Sequence, residues 1–162
     1  MNDEYKKIII NVIENGIWYF NRLGQVNHLS YPNVDSSHIR GNKGSTHMNF
    51  SWSDLNKKFY LTEKEAQEKA QEYIDNFSKY ISLKTLKKIC KLKENDIFYE
   101  KTEIFGVISC SIDNCYYDKY ELALIVLAEY DDDFGGGYKV YTYPLSQYGK
   151  TWALTKEEIS ND

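Results

Sequence analysis

Three histidines (His28, His38, His47) and three cysteines (Cys90, Cys110, Cys115) are the residue types best able to hold a metal. Zinc wants closely spaced histidines or two cysteine pairs. The histidines lie ten and nine residues apart and Cys90 stands alone, so the expectation is loop histidines and reduced thiols. Asp35-Ser36-Ser37-His38 has the types of a nucleophile–base pair, but neighbouring side chains diverge and no nucleophile elbow surrounds them. Arg40-Gly-Asn-Lys-Gly-Ser-Thr46 has the composition of a phosphate loop but the wrong order, because Lys43 precedes Gly44 and Gly41 is too close. Nucleotide hydrolysis is thereby excluded. A softer reading keeps the 35–47 loop as an anion or nucleotide site built from His38, Arg40, Lys43 and His47. Asp131, Asp132 and Asp133 lack the glycine and glutamate of a calcium loop. Beside Phe134, Tyr138, Tyr141 and Tyr143 they instead suit a face for a basic protein partner, since tyrosine offers contact area at low entropy cost and carboxylates steer association. No cofactor and no catalytic residue are expected.

The charge layout favours that acidic face. Residues 1–75 carry 9 basic and 10 acidic side chains, residues 76–93 six lysines and no acid, and residues 94–162 5 basic and 14 acidic side chains. The formal net charge is only -4, yet the back of the chain alone stands at -9 and would repel a phosphate backbone. Lys79, Lys84, Lys87, Lys88, Lys91 and Lys93 leave a nucleic-acid accessory role as an alternative, with a solvated helix face and linker as the simpler reading. At 42% hydrophobic content the chain is too apolar for disorder, and no apolar run is long enough for a membrane span. A cytoplasmic protein of open oligomeric state is expected.

The elements that must position these residues read as a duplication. A shift of 80 sets Lys7–Tyr19 over Lys87–Tyr99 and aligns Glu14-Asn15-x-Ile17 with Glu94-Asn95-x-Ile97. A shift of 93 sets Ser53–Glu65 over Ser146–Glu158, with Phe59 over Trp152. Thr62-x-x-Glu65 and Thr155-x-x-Glu158 are capping boxes. Helical spacing of Ala66, Ala70, Tyr73, Ile74, Phe77 and Ile81 predicts a helix over 63–80, and the second box leaves room for a turn or two. Ile8–Ile13, Ile17–Phe20, Gln25–Ser30, Ile97–Glu100, Ile104–Cys110, Leu122–Ala128 and Tyr138–Tyr143 read as strands, with Leu122–Ala128 central and Asp131–Gly137 a loop. The fold class expected is α+β: two tandem small bent sheets or partly closed β-barrels, each followed by a helix, divided as 1–81 and 82–162.

Glu94-Asn-Asp-Ile-Phe-Tyr99 followed by Gly149-Lys-Thr-Trp-Ala-Leu-Thr-Lys-Glu-Glu158 resembles a unit of small uncharacterised proteins of bacterial prophages and mobile elements. In that unit a strand opens an SH3-like barrel and a G-K-T segment leads into a closing helix. The resemblance implies origin and fold, and no activity. With no catalytic constellation, it points to a non-enzymatic binding protein that blocks or sequesters a basic partner, as a host-defence inhibitor or immunity-like protein does.

Overall fold

The apolar run Ile8–Ile13 forms helix and not the expected strand. In the computed structural model, which describes residues 2–160 and every side chain there but that of Asp132, α1 (Asp3–Asn15) opens on Asn2, whose side-chain oxygen accepts from the Glu4 amide. Tyr5, Ile8, Ile9 and Val12 are among its less exposed positions. Their spacing is that of one helix face. Gly16 then ends the helix, its amide donating to the Val12 carbonyl at 2.8 Å.

β1 (Ile17–Phe20) and β2 (Val26–Leu29) form a hairpin. Its turn is held by Asn21 Oδ1, which accepts from the Leu23 and Gln25 amides. The stretch read as a polar loop folds into β3 (Asn33–Val34), β4 (His38–Lys43) and β5 (Thr46–Ser51). α2 (Glu63–Ser78) matches its expected span within two residues, and the Thr62 hydroxyl accepts from the Glu65 amide as the capping box requires. α3 (Leu83–Cys90) follows, capped by Ser82. Then come β6 (Ile97–Thr102), β7 (Gly106–Ser111), β8 (Asn114–Asp118), β9 (Ala123–Asp132), β10 (Gly135–Pro144) and β11 (Trp152–Ala153). At the second box a single 3₁₀ turn forms, Lys156–Glu158, with no side-chain cap.

The fold is therefore α+β, with strands in small antiparallel sheets ordered β1-β2, β3-β4-β5, β11-β6-β7 and β10-β9-β8. None of these sheets is closed among the described residues. The chain divides into two compact units between Ile74 and Asp75, inside α2. In the first unit Val12, Ile17, Tyr19, Leu29, Ile39, Phe50 and Phe59 form the core. In the second, Phe98, Leu124, Leu145 and Trp152 are fully buried. Trp152 lies edge-on to Tyr148 at 5.0 Å, and Tyr143 lies edge-on to Phe98 at 4.9 Å.

One local structure occurs in both units, offset by 93 residues. Leu55 bridges Phe59 and Tyr148 bridges Trp152, each in the parallel sense. The Asn56 amide donates to the Phe59 carbonyl and the Gly149 amide to the Trp152 carbonyl, both at 2.8 Å. Asn56 and Gly149 have matching φ of 63° and 78°. The aromatic side chain each turn presents, Phe59 or Trp152, is 0% exposed.

Candidate functional site

The acidic segment 131–137, expected as a loop, is the far end of the β9–β10 hairpin. Asp132 pairs with Gly135, leaving only Asp133 and Phe134 as the turn. β9 forms because Ala123, Leu124, Ile125 and Val126 are all buried, as a strand covered on both faces requires. Beyond Val126 the hairpin rises out of the core, and its side chains become half-exposed or exposed.

The hairpin register decides which of the predicted residues work together. Glu129 lies opposite Tyr138, Asp131 opposite Gly136 and Leu127 opposite Val140, so these share one face of the sheet. That face borders an open cleft of about 1030 Å³. Glu129, Asp131 and Tyr138 line it from the hairpin, Lys93 and Glu94 from the segment after α3, and Asp113 from the approach to β8. Four carboxylates thus face one lysine. Phe134 is fully exposed at the tip. Tyr141 is exposed but, three positions from Tyr138, lies on the opposite face of β10.

Tyr143 is half-buried on the other face of β10, packed inward and away from the cleft. Besides its packing on Phe98, its hydroxyl donates to Glu100 Oε2 at 3.3 Å. Burial, and then the Glu100 carboxylate, push its phenol well above the ordinary value. The Asp132 side chain lies outside the described residues. Glu94, Asp113 and Glu129 were not anticipated. For Glu129 the signal was available: a two-residue turn at Asp133–Phe134 places residue 129 opposite 138 by counting.

The 35–47 residues divide between the two faces of a hairpin: His47, opposite Asn42, shares the face of His38 and Arg40, and Lys43 does not. The segment forms the β3–β4 turn and the β4–β5 hairpin, in which His38, Arg40 and Asn42 project from one face of β4 and Lys43 from the other. Arg40 faces the Asp35 carboxylate at 4.0 Å, Lys43 donates to the His28 carbonyl, and His47 bonds Asn42 Oδ1 across the hairpin. Asp35, Ser37 and His38 do meet, but in the wrong order for a triad. Asp35 Oδ1 accepts from the Ser37 amide, the Ser37 hydroxyl and the His38 amide, while His38 Nδ1 is bonded to Ser37 Oγ. The carboxylate therefore ties the turn and does not orient the imidazole.

That turn makes a pH prediction. The Ser37 and His38 amides, the Ser37 hydroxyl and Arg40 hold the Asp35 carboxyl at about 2 against an ordinary 3.8. A depressed folded-state value contributes stability above pH 3.8, lost as pH falls through about 2. Asp35→Asn is expected to flatten the acid limb of the first unit's stability over that window, read from denaturant titrations at stepped pH. An unchanged acid limb would show that the turn is not coupled to folding.

The cysteines separate as well. Cys110 points its thiol at Glu100 Oε2 and Cys115 at the Leu92 carbonyl, and burial raises both thiols above their ordinary value. Among the described residues no group of three or more His, Cys, Asp or Glu is placed to hold a metal ion. α3 buries Leu86 and Ile89 and exposes Lys84, Lys87 and Lys88. Lys87 and Lys88 stand in its last turn, where cations oppose the helix dipole. No described helix is long and apolar enough to cross a membrane. No protein-family model, no curated protein and no solved structure matches the chain. What defines it is its own geometry: an α+β protein whose second unit carries an acidic, tyrosine-bearing hairpin over an open cleft.

Proposed function

We propose that this is a non-enzymatic binding protein that blocks or sequesters a basic protein partner on the cleft side of the β8–β9–β10 sheet. One observation carries the reading. Glu94, Asp113, Glu129 and Asp131 come from three separate stretches of chain to one concavity, beside an exposed tyrosine and a single lysine. Carboxylates gathered in a cleft focus the field and speed the approach of a cation. At the Asp35–Ser37–His38 turn the carboxylate binds the serine and not the imidazole, so this turn is not read as a catalytic triad. We also take the two units as tandem copies of one bent-sheet module, supported by the turn that occurs in both at an offset of 93. A phage or mobile-element inhibitor, or an immunity-like protein, is the setting this proposal fits.

The test is capture from a lysate of the source organism across a salt series, using the native chain and the double variant Glu129→Lys with Asp131→Lys. A basic protein should be retained by the native chain, less so as salt rises. The double variant should slow its association by about tenfold or more. Retention indifferent to both salt and charge reversal would overturn the reading.

A further inference from the structure

Resting on the basic-partner reading, we infer that β10 is the docking element itself. It takes up an extended, lysine- or arginine-bearing segment of the partner as an additional strand of the β10-β9-β8 sheet.

β10 is the last strand on its side of that sheet and runs for ten residues, Gly135–Pro144. Its pairing with β9 is continuous, with no bulge to twist the edge away. From Gly135 to Thr142 every residue but the half-buried Gly137 is exposed. The two-residue turn makes Asp132 and Gly135 a hydrogen-bonded pair, and antiparallel bonding then alternates along the strand. Gly136, Tyr138, Val140 and Thr142 therefore aim their backbone N–H and C=O groups away from β9. Such a row is a template for another strand. Proteins usually blunt a long edge with charge, proline or a bulge. Here Lys139 and the terminal Pro144 are the only such devices on the strand.

Side chains and charge then select the occupant. Tyr138 and Val140 are 63% and 61% exposed on the cleft face, and Tyr141 is 44% exposed on the other. An added strand would pack across-strand neighbours against both rows. Glu129 and Asp131 stand one strand behind, on the same face as Tyr138. Cationic side chains on the incoming strand can reach these diagonally, and the partner's main chain supplies the affinity. A second copy of this chain fits poorly. Residues 94–162 carry 14 acidic and 5 basic side chains, so two such edges meet with like charge.

The probe is a synthetic peptide of about ten residues, alternating lysine and valine, to match the length of β10. Its counterpart has the same sequence, with alternate backbone nitrogens methylated on the edge that would face β10. Strand addition predicts that the methylated peptide binds about tenfold or more weakly, since each lost backbone bond removes affinity while charge is unchanged. The unmethylated peptide should also slow amide exchange at Gly136, Tyr138, Val140 and Thr142. Equal affinity of the two peptides, or no protection at those amides, overturns strand addition, as does the absence of binding by either. The underlying reading fails separately: binding indifferent to Glu129→Lys with Asp131→Lys removes the acidic cleft from recognition, whatever methylation does. Sedimentation showing a dimer dispersed by the peptide would make a second copy the occupant and overturn the assignment.

Discussion

Trp152→Ala is expected to destabilise the second unit by about 3–5 kcal/mol, the cost of emptying an aromatic site in a packed core. Trp152 is 0% exposed, lies 5.0 Å from Tyr148 and 5.7 Å from Tyr143, and donates from Nε1 to the Pro144 carbonyl at 2.8 Å. Alanine removes the ring, leaves a void and strands that carbonyl. The neighbours cannot close in freely, because β11 is pinned to β6 on one side and the Gly149 amide to the Trp152 carbonyl on the other. Hydrogen exchange at β6 and β9 amides reads the loss directly, and Trp18 and Trp52 in the first unit do not report on it. Tyr141→Ala, on an exposed position of β10, should stay within about 0.5 kcal/mol and serves as the control. A Trp152→Ala loss no larger than that of the control would mean that the turn, and not the ring, holds the unit together.

The part of the fold legible in the sequence is the part where local chemistry decides the answer. α2 announces itself by a capping threonine and an unbroken helical period, and β9 by four consecutive residues that are all buried. α1 is hidden by composition: Ile8, Ile9 and Ile10 are β-branched and contiguous, which reads as strand, although Tyr5, Ile8, Ile9 and Val12 hold the helical spacing. The β4–β5 hairpin is hidden by polarity, since only Ile39 and Phe50 of its paired residues are buried. The proposed duplication is a case where identity and geometry part company. The shift of 80 sets Ile17, 0% exposed, over Ile97, 53% exposed. Strand pairing disagrees: Trp18 bridges Tyr60 and Tyr99 pairs with Ala153, which makes the equivalence 81. In a pleated strand that one-residue slip exchanges the buried and exposed faces. The cleft was not legible for a related reason. Residues 93–94, 113 and 129–138 are scattered in sequence, and only hairpin register and the path out of α3 bring them to one place.

Gly16→Ala is expected to cost about 3 kcal/mol or more, more than the strain of the residue alone. Gly16 joins α1 to β1 at φ 75° and ψ -162°, a region of backbone space that is in practice glycine's own. Space compounds the strain. An added Cβ would run into the Leu29 carbonyl oxygen and lie 2.8 Å from His28 Nε2. Neither can yield cheaply, because Leu29 is paired to Ile17 in the β1–β2 hairpin. His28 is also held, stacked on Trp18 at 4.2 Å and donating from Nε2 to the Asn15 carbonyl at 2.8 Å. That last bond satisfies a carbonyl at the end of α1, where helix acceptors lack partners of their own. One methyl group thus strains the junction, pushes the hairpin away and frees the helix end. Gly44→Ala separates the contributions: at φ 62° with nothing within 4 Å of its added Cβ, it should pay only the left-handed penalty of about 1–2 kcal/mol. Denaturant titration of both variants reads the difference. Equal losses would show that α1 and the β1–β2 hairpin shift apart at no cost, and that the close approach at Gly16 is not part of what fixes the first unit.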